Sequence, residues 1–471
     1  MDPVLAANAA DAETQKLRLQ ALNGKRCLWI TAPVIPMMSQ GMIDRTQWVL
    51  DQGVELCAVF CGEEDRLYSI MKEKNLFSNA IFADLNSDDC GSQIIAAVEE
   101  SGLQIDSVFS PYEQAQTIVG EVATGLGVQA NDGKAYSIAR SKNWTRDVCK
   151  EHNLAAPKTG ICHTVEELIA TVEHVGFPLI LKPSSGAGSA GVFKATTIEQ
   201  AEKAFHIIVA DLTKNDNLNW NPGCNENSCL VEQLLVGDEF DVDILMWDSK
   251  PVYVRSVDNW PCMEPFFLET GSNLPSVYPR EKLDILEKYA LDCVLACGFT
   301  FGCFHVECMY TEEGPVLIEV NARQGGGCMQ EFNAGIYGVD IFANFFISTF
   351  GIPINPPRTE KQCAMADYSF TCETTGTLEN IDWVKQVEQN PHVVRCTPFA
   401  KPGSKVVGFD TGFPVWLGEV IVQGETPEQC KEIIASIVET TTFAITPASE
   451  KQEKSEEPHE VEPAQEVTMT N

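Results

Sequence analysis

The chain has 471 residues, 44 % of them apolar, with 67 acidic against 33 basic side chains and a formal net charge of −34. A surface this acidic repels phosphate backbones and anionic lipid, which excludes nucleic acid and membrane surfaces as expected partners but not a metal–nucleotide site, where the ion carries the positive charge. The 18 cysteines form no paired CxxC motifs, the start Met1-Asp2-Pro3 is unlike a signal peptide, and no run of about 18 apolar residues is present to span a membrane, so a cytoplasmic protein with reduced thiols is expected.

Residues 1–23 are Ala-rich and polar and read as a loose helical leader. Short apolar runs then alternate with helical stretches. Arg26–Ala32, Val54–Cys61, Asn79–Ala83 and Ser107–Ser110 read as strands of a parallel sheet flanked by helices. No GxGxxG follows the first strand, so dinucleotide binding has no support. Ala139–Cys149 reads as one helical segment, and near Lys158 the chain enters a second unit. Thr164 with Glu167 predicts a capping box for a helix over Val165–His174, and Thr197 with Gln200 predicts another. Strands are expected at Leu179–Lys182, Val192–Lys194, Leu230–Leu234 and Glu239–Met246. Residues 299–350 read as a hairpin and a helix, Ile352–Arg358 as a Pro-rich edge, and 363–446 as an α+β piece ending in a helix capped by Thr426, Pro427 and Gln429. Beyond Pro447 the composition is that of a disordered tail. The expected organisation is a leader (1–23), a Rossmann-like parallel-sheet domain (24–140), a central nucleotide-binding domain (141–350) with a lid at about 155–236, an α+β domain (351–446) and an acidic tail (447–471).

The strongest chemical signal lies between Cys303 and Gly327. Cys303–Tyr310 and Pro315–Asn321 read as a hairpin with the three-residue loop Glu312–Glu313–Gly314. That loop sets Thr311 opposite Pro315 and Glu307 opposite Glu319. His305 and Glu307 then share one face with Glu319, Asn321 and Arg323. Two carboxylates facing each other repel unless a hard cation lies between them, and magnesium takes such carboxylate and amide oxygens. Arg323, one step further, is placed to hold a transferring phosphoryl group or an acyl phosphate. A second signal is Lys182-Pro-Ser-Ser-Gly-Ala-Gly-Ser-Ala-Gly191, a lysine at a strand end before a small-residue loop able to cradle phosphates through one charge and several backbone N–H groups. It lacks the order of a P-loop. Lys142 with Arg146, and the run Glu232-Gln-Leu-Leu-Val-Gly-Asp-Glu239, are weak signals taken alone.

Taken in order over Lys25–Thr446, these four signals resemble the ATP-grasp superfamily, and His305-x-Glu307 with Glu319-Val-Asn-Ala-Arg-x-Gly-Gly-Gly327 looks most like its L-amino-acid ligases and carnosine synthases. The resemblance implies an α/β (α+β) ATP-grasp fold and an ATP-dependent carboxylate–amine ligase that works through an acyl phosphate and releases ADP and phosphate. It implies Lys142 and Lys182 on the α- and β-phosphates, with Lys182 and Arg323 catalytic. The loop carrying Ser185, Gly186, Gly188 and Ser189 would fold over the phosphates. Glu232, Gln233 and Leu235 would line the adenine, with Glu239 on the ribose. Glu307, Glu319 and Asn321 would hold two magnesium ions, for which manganese can substitute. His305, Trp260, Glu269 and Gly326 are candidate substrate contacts, the middle two from the Ser256–Ser276 segment that reads as a lid. The partners expected are small molecules, an acid or amino acid plus an amine or amino acid; many relatives are homodimers, though no interface is legible.

Two other ATP-grasp readings stay open: another ligase of small-metabolite biosynthesis, and a catalytically silent ATP-binding regulator. The filled metal positions argue against the second. A zinc protein built on Cys303, His305 and Cys308 fails because the two cysteines fall on opposite faces of one strand.

Overall fold

The structure, a computed structural model, describes residues 9–32, 40–184, 189, 191–213, 228–359, 361–410 and 414–448. The chain forms two compact units, 1–368 with 421–434 and 369–420 with 435–471. The expected loop residues Ser185, Gly186 and Gly188, and the tail past Ala448, lie outside the described residues.

In the first unit β1 (Arg26–Ile30), β2 (Glu55–Phe60), β3 (Asn79–Phe82) and β4 (Ser107–Phe109) form a parallel sheet in the order β3-β2-β1-β4. Alternate residues feed two cores: Cys27, Trp29, Leu56, Ala58 and Phe60 pack on one face, Leu28, Ile30, Cys57 and Val59 on the other. Burial on both faces is why these strands read as continuous apolar runs.

A second, antiparallel sheet contains β5 (Thr159–Cys162), β6 (Leu179–Pro183), β7 (Phe193–Ala195) and β8 (Cys229–Gln233), in the order β5-β8-β6-β7, covered by helices Val165–Val175 and Ile198–Thr213. The expected capping residues sit at the helix starts with a consistent adjustment. Thr164, Thr197 and Thr426 accept from the N–H three residues on, while Glu167, Gln200 and Gln429 reach back past the cap, to the N–H groups of His163, Thr196 and Glu425.

The third sheet carries β9 (Asp238–Trp247), β10 (Lys250–Asn259), β11 (Gly271–Leu274), β12 (Gly302–Thr311), β13 (Gly314–Asn321) and β14 (Ala364–Phe370), in the order β13-β12-β9-β10-β11-β14. One face is largely apolar: Phe240, Val242, Ile244, Phe304, Val306, Leu317 and Val320 pack under helix Arg280–Ala296. The other begins polar, at Glu239, Asp241, Asp243, His305 and Glu307, and becomes core at Leu245 and Cys303. Cys303 and Cys308 accordingly enter different cores. Two helices, Met329–Tyr337 and Ile341–Ser348, follow β13 where the sequence suggested one; Gly338, at φ 69°, ends the first.

Two expectations about this unit need correction. The segment 139–149 is two helices, because Ser141 adopts an extended backbone and its hydroxyl caps a new helix at Lys142–Glu151 through the Trp144 N–H. The β12–β13 turn is Glu312–Glu313 alone, with Thr311 opposite Gly314 and the Thr311 hydroxyl donating to the Gly314 carbonyl. The displaced residue reappears as a bulge at Ile318, which restores Glu307 opposite Glu319.

In the second unit β15 (Gly376–Leu378), β17 (Lys405–Val406) and β19 (Ile445–Pro447) pair in the order β17-β15-β19; β16 (Val393–Pro398) also belongs to it, and β18 (Gly418–Gly424) begins in it and ends in the first unit. Phe370, Trp383 and Phe443 form its aromatic core. Among the described residues no helix is long and apolar enough to cross a membrane.

Candidate active site

Three adjacent strands build the site in two rows. Asp241 of β9, Glu307 of β12 and Glu319 of β13 stand side by side, and the next row is Asp243, His305 and Asn321. Burial, then the Glu319 and Asp241 carboxylates, push Glu307 well above the ordinary carboxylate range. For Glu319 the balance runs the other way: burial would raise it, but Lys142, whose Nζ lies 2.8 Å from its Oε1, with Arg140 and Lys182 outweighs that cost and holds the carboxyl down. Asn321 Nδ2 donates to Glu307 Oε1 at 3.2 Å. Two carboxylates and one amide, all oxygen donors, are the set a hard divalent cation takes, and fixed charges of the chain neutralise only one of the carboxylates. The residues therefore fit a magnesium ion.

A second network joins the sheets. The Glu232 carboxylate is engaged by Lys182 Nζ and by Arg146, whose Nε and Nη2 lie 3.2 and 3.4 Å from its two oxygens. Burial would raise Glu232, but Arg146 and Lys182 overcome it and hold the carboxyl at about 2. Arg146 Nη2 also donates to the Ile318 carbonyl at 2.7 Å, so the bulge that sets the hairpin register is tied to the same arginine. Glu232, expected beside the adenine, has its carboxylate in this ion network instead. The hinge after it, Gln233–Gly237, is largely exposed. The Leu235 backbone groups take no protein partner among the described residues. Gly237 is needed there, since a Cβ would meet the Tyr310 carbonyl at 2.2 Å.

Arg323 leaves the end of β13 with its Nε 3.1 Å from Glu113 Oε2 and its Nη2 3.3 Å from Asn321 Oδ1. Glu113 also faces Arg140, at 3.5 Å. The next residue, Gln324, accepts from Arg45 at 2.8 and 3.1 Å. Gly325 packs on His305: a Cβ there would stand 2.6 Å from its Nδ1. His305 Nδ1 bonds Asp243 at 2.9 Å, and Asn333 donates to the other Asp243 oxygen at 2.7 Å. Burial lowers the His305 pKa, but Asp241 and Asp243 outweigh it and raise it to about 9. Glu239 and Glu269 enter the same acidic surround, each pushed to about 7 by burial and then by Asp241.

The structure thus brings together Lys142, Glu307 and Glu319, with Asn321 and His305 in the adjacent row and Arg323 beyond, and separately Lys182 with Glu232. Gly326 is exposed in the loop beyond, and Ser189, with φ 56°, lies in the turn before β7. Trp260 is not drawn to the carboxylates: its indole N–H donates to Asn273 at 2.8 Å and its ring lies against Gly271. Sequence reasoning passed over Asp241, Asp243, Glu113 and Arg140. The signal for the first two was present, since Glu239-Phe-Asp-Val-Asp243 alternates acid with apolar residues along an expected strand. Glu113 and Arg140 carried none.

Residues 175–331 match the ATP-grasp domain family, and residues 369–446 match L-amino acid ligase C-terminal domain 2. The chain is similar to human carnosine synthase 1, 25 % identical over 76 % of this chain and 45 % of the relative, so it spans less than half of that protein. It is 26 % identical to the alanine–anticapsin ligase of Bacillus subtilis, over 53 % of this chain and 54 % of the relative. Its fold is similar to an L-amino acid ligase from Bacillus licheniformis, at a TM-score of 0.74 with 19 % identity, covering 90 % of this chain and 99 % of that one.

Proposed function

We propose, for a chain that carries an ATP-grasp domain and is homologous to carnosine synthases and L-amino acid ligases, that it is an ATP-dependent carboxylate–amine ligase forming an amide between small molecules. The observation that carries the reading is the Glu307–Glu319 pair across the hairpin, with Lys142 on one carboxylate and Arg323 beside Asn321.

ATP is the co-substrate. The hinge at Leu235 accepts its base, and Glu239 lies on the strand beyond for the ribose. Lys142, Lys182 and Arg146 face the phosphates from two elements, and Glu232 fixes the last two without cancelling both charges. Glu307, Glu319 and Asn321 would hold magnesium, as two ions, with manganese accepted by the same oxygen set. Bound magnesium supplies the neutralisation of charge that builds on the phosphates.

The substrate carboxylate oxygen attacks the γ-phosphorus, forming an acyl phosphate and expelling ADP. The amine then attacks the acyl carbon, the C–O bond to phosphate breaks, and the amine loses its proton. Arg323, steadied by Glu113, holds the phosphate oxygens through both steps. His305, fixed by Asp243, faces the reacting groups from the next row.

A coupled assay of ADP release over pairs of amino acids, β-alanine with L-histidine included, tests this. Release that requires both members of a pair is expected. ATP binding with no release on any acid–amine pair would overturn it.

A further inference from the structure

A second cluster of positive charge lies on the same sheet, one strand beyond the row of Asp243, His305 and Asn321. β9 runs along one side of β10, while β11 meets β10 only at Asp258 and Asn259. Along the stretch of β10 before them, two arginines bond to the main chain. Arg255 Nη1 donates to the Val254 carbonyl at 2.7 Å, and Arg358 Nη2 donates to the Val252 carbonyl. Both guanidinium centres lie 5.5 Å from the centroid of the Tyr253 ring, and Arg255 is also 4.5 Å from the Tyr337 ring. The arginines come from a strand and from the Pro-rich segment after it, so the fold brings two like charges together around one aromatic platform.

Carbonyls and ring faces orient a guanidinium without neutralising it, and each guanidinium has five N–H donors. Neither arginine has a carboxylate partner among the described residues, in a chain where acids outnumber bases 67 to 33. The register does set Asp243 opposite Arg255, but that carboxylate is committed to His305 and Asn333. Burial and then the charge of Arg255 lower the pKa of Arg358, the mark of a cation with like charge beside it.

We propose that Arg255 and Arg358 form a second anion site, separate from the nucleotide site, that takes a phosphate-type oxyanion. One carboxylate is satisfied by a single guanidinium fork. A tetrahedral oxyanion offers oxygens to two forks at once, and Arg358 is exposed and gives it entry. Inorganic phosphate and the phosphoryl groups of a larger molecule share this chemistry.

The test is calorimetric titration of inorganic phosphate, and separately of tripolyphosphate, into protein saturated with Mg–ADP, at constant ionic strength. Wild type, Arg255→Gln and Arg358→Gln are compared. Binding by wild type that weakens at least about tenfold in Arg358→Gln is expected. Binding of phosphate points to the free ion, and binding of tripolyphosphate alone to a phosphorylated ligand. No binding of either anion, or undiminished binding in Arg358→Gln, overturns the proposal. Arg358 is exposed, so that variant stays informative even where Arg255→Gln fails to fold.

Discussion

Glu232 and Glu307 are both carboxylates held inside the first unit, and their surroundings treat them in opposite ways. Glu232 meets a guanidinium and an ammonium fixed by other elements, and its pKa falls to about 2. Glu307 meets Glu319 and Asp241, and its pKa rises. The chain completes the first site itself. The second keeps two carboxylates opposed on neighbouring strands, an arrangement a sheet avoids unless a cation belongs there. Structural and functional carboxylates are thus told apart by what faces them, not by how deeply they lie.

Removing the opposed pair should have the largest effect. Glu319→Ala takes away a proposed magnesium ligand and leaves Lys142 without its acid, so kcat in the ADP-release assay should fall by at least about 10²-fold, the scale for losing one preorganised electrostatic partner. Near-normal turnover would break the functional half of the comparison.

Glu232→Gln attacks the other half. It leaves Arg146 and Lys182 buried without a counter-charge, and urea unfolding should show a loss of about 3–5 kcal/mol. The pH dependence sharpens the point. The folded pKa of Glu232 lies below its unfolded value, so its contribution is present above about pH 4.5 and fades as the pH falls towards 2. The difference in stability between wild type and Glu232→Gln should shrink over that window; a constant difference would mean the pair is not ionic in the folded state.

Gly325→Ala presses a methyl group onto His305 and Met329. A destabilisation of about 1–3 kcal/mol is expected, with a rise in KM for one substrate. The smallest effect belongs to Glu307→Gln. Relief of like-charge repulsion should stabilise the metal-free protein by up to about 1 kcal/mol, while the rise in Tm on adding Mg–ADP shrinks. A variant less stable without metal, yet fully responsive to it, would show that Glu307 is structural.

The local order of the fold was legible because its signals are local. The three capping threonines and the alternation of the hairpin strands sit within a few residues of what they control. The bulge at Ile318 was not legible, because the residue that stabilises it, Arg146, is 172 positions away. The expected pairing of Glu307 with Glu319 was reached through a wrong turn: the loop has two residues, and the bulge supplied the missing offset. The break at Ser141 depended on one side chain choosing a cap over a helical backbone. Glu232 drew its reading from the order of motifs, whereas its partners come from a helix and a strand that only the fold brings together. Glu113 illustrates the same limit, since its two arginines lie far along the chain.

The central claim, that this face activates a carboxylate by phosphorylation, is tested most directly with substrate labelled with ¹⁸O in its carboxylate, using a pair that supports ADP release. The account predicts that the released phosphate carries one labelled oxygen, because the C–O bond to phosphate is the one that breaks. Label in AMP, or phosphate without label, would contradict it.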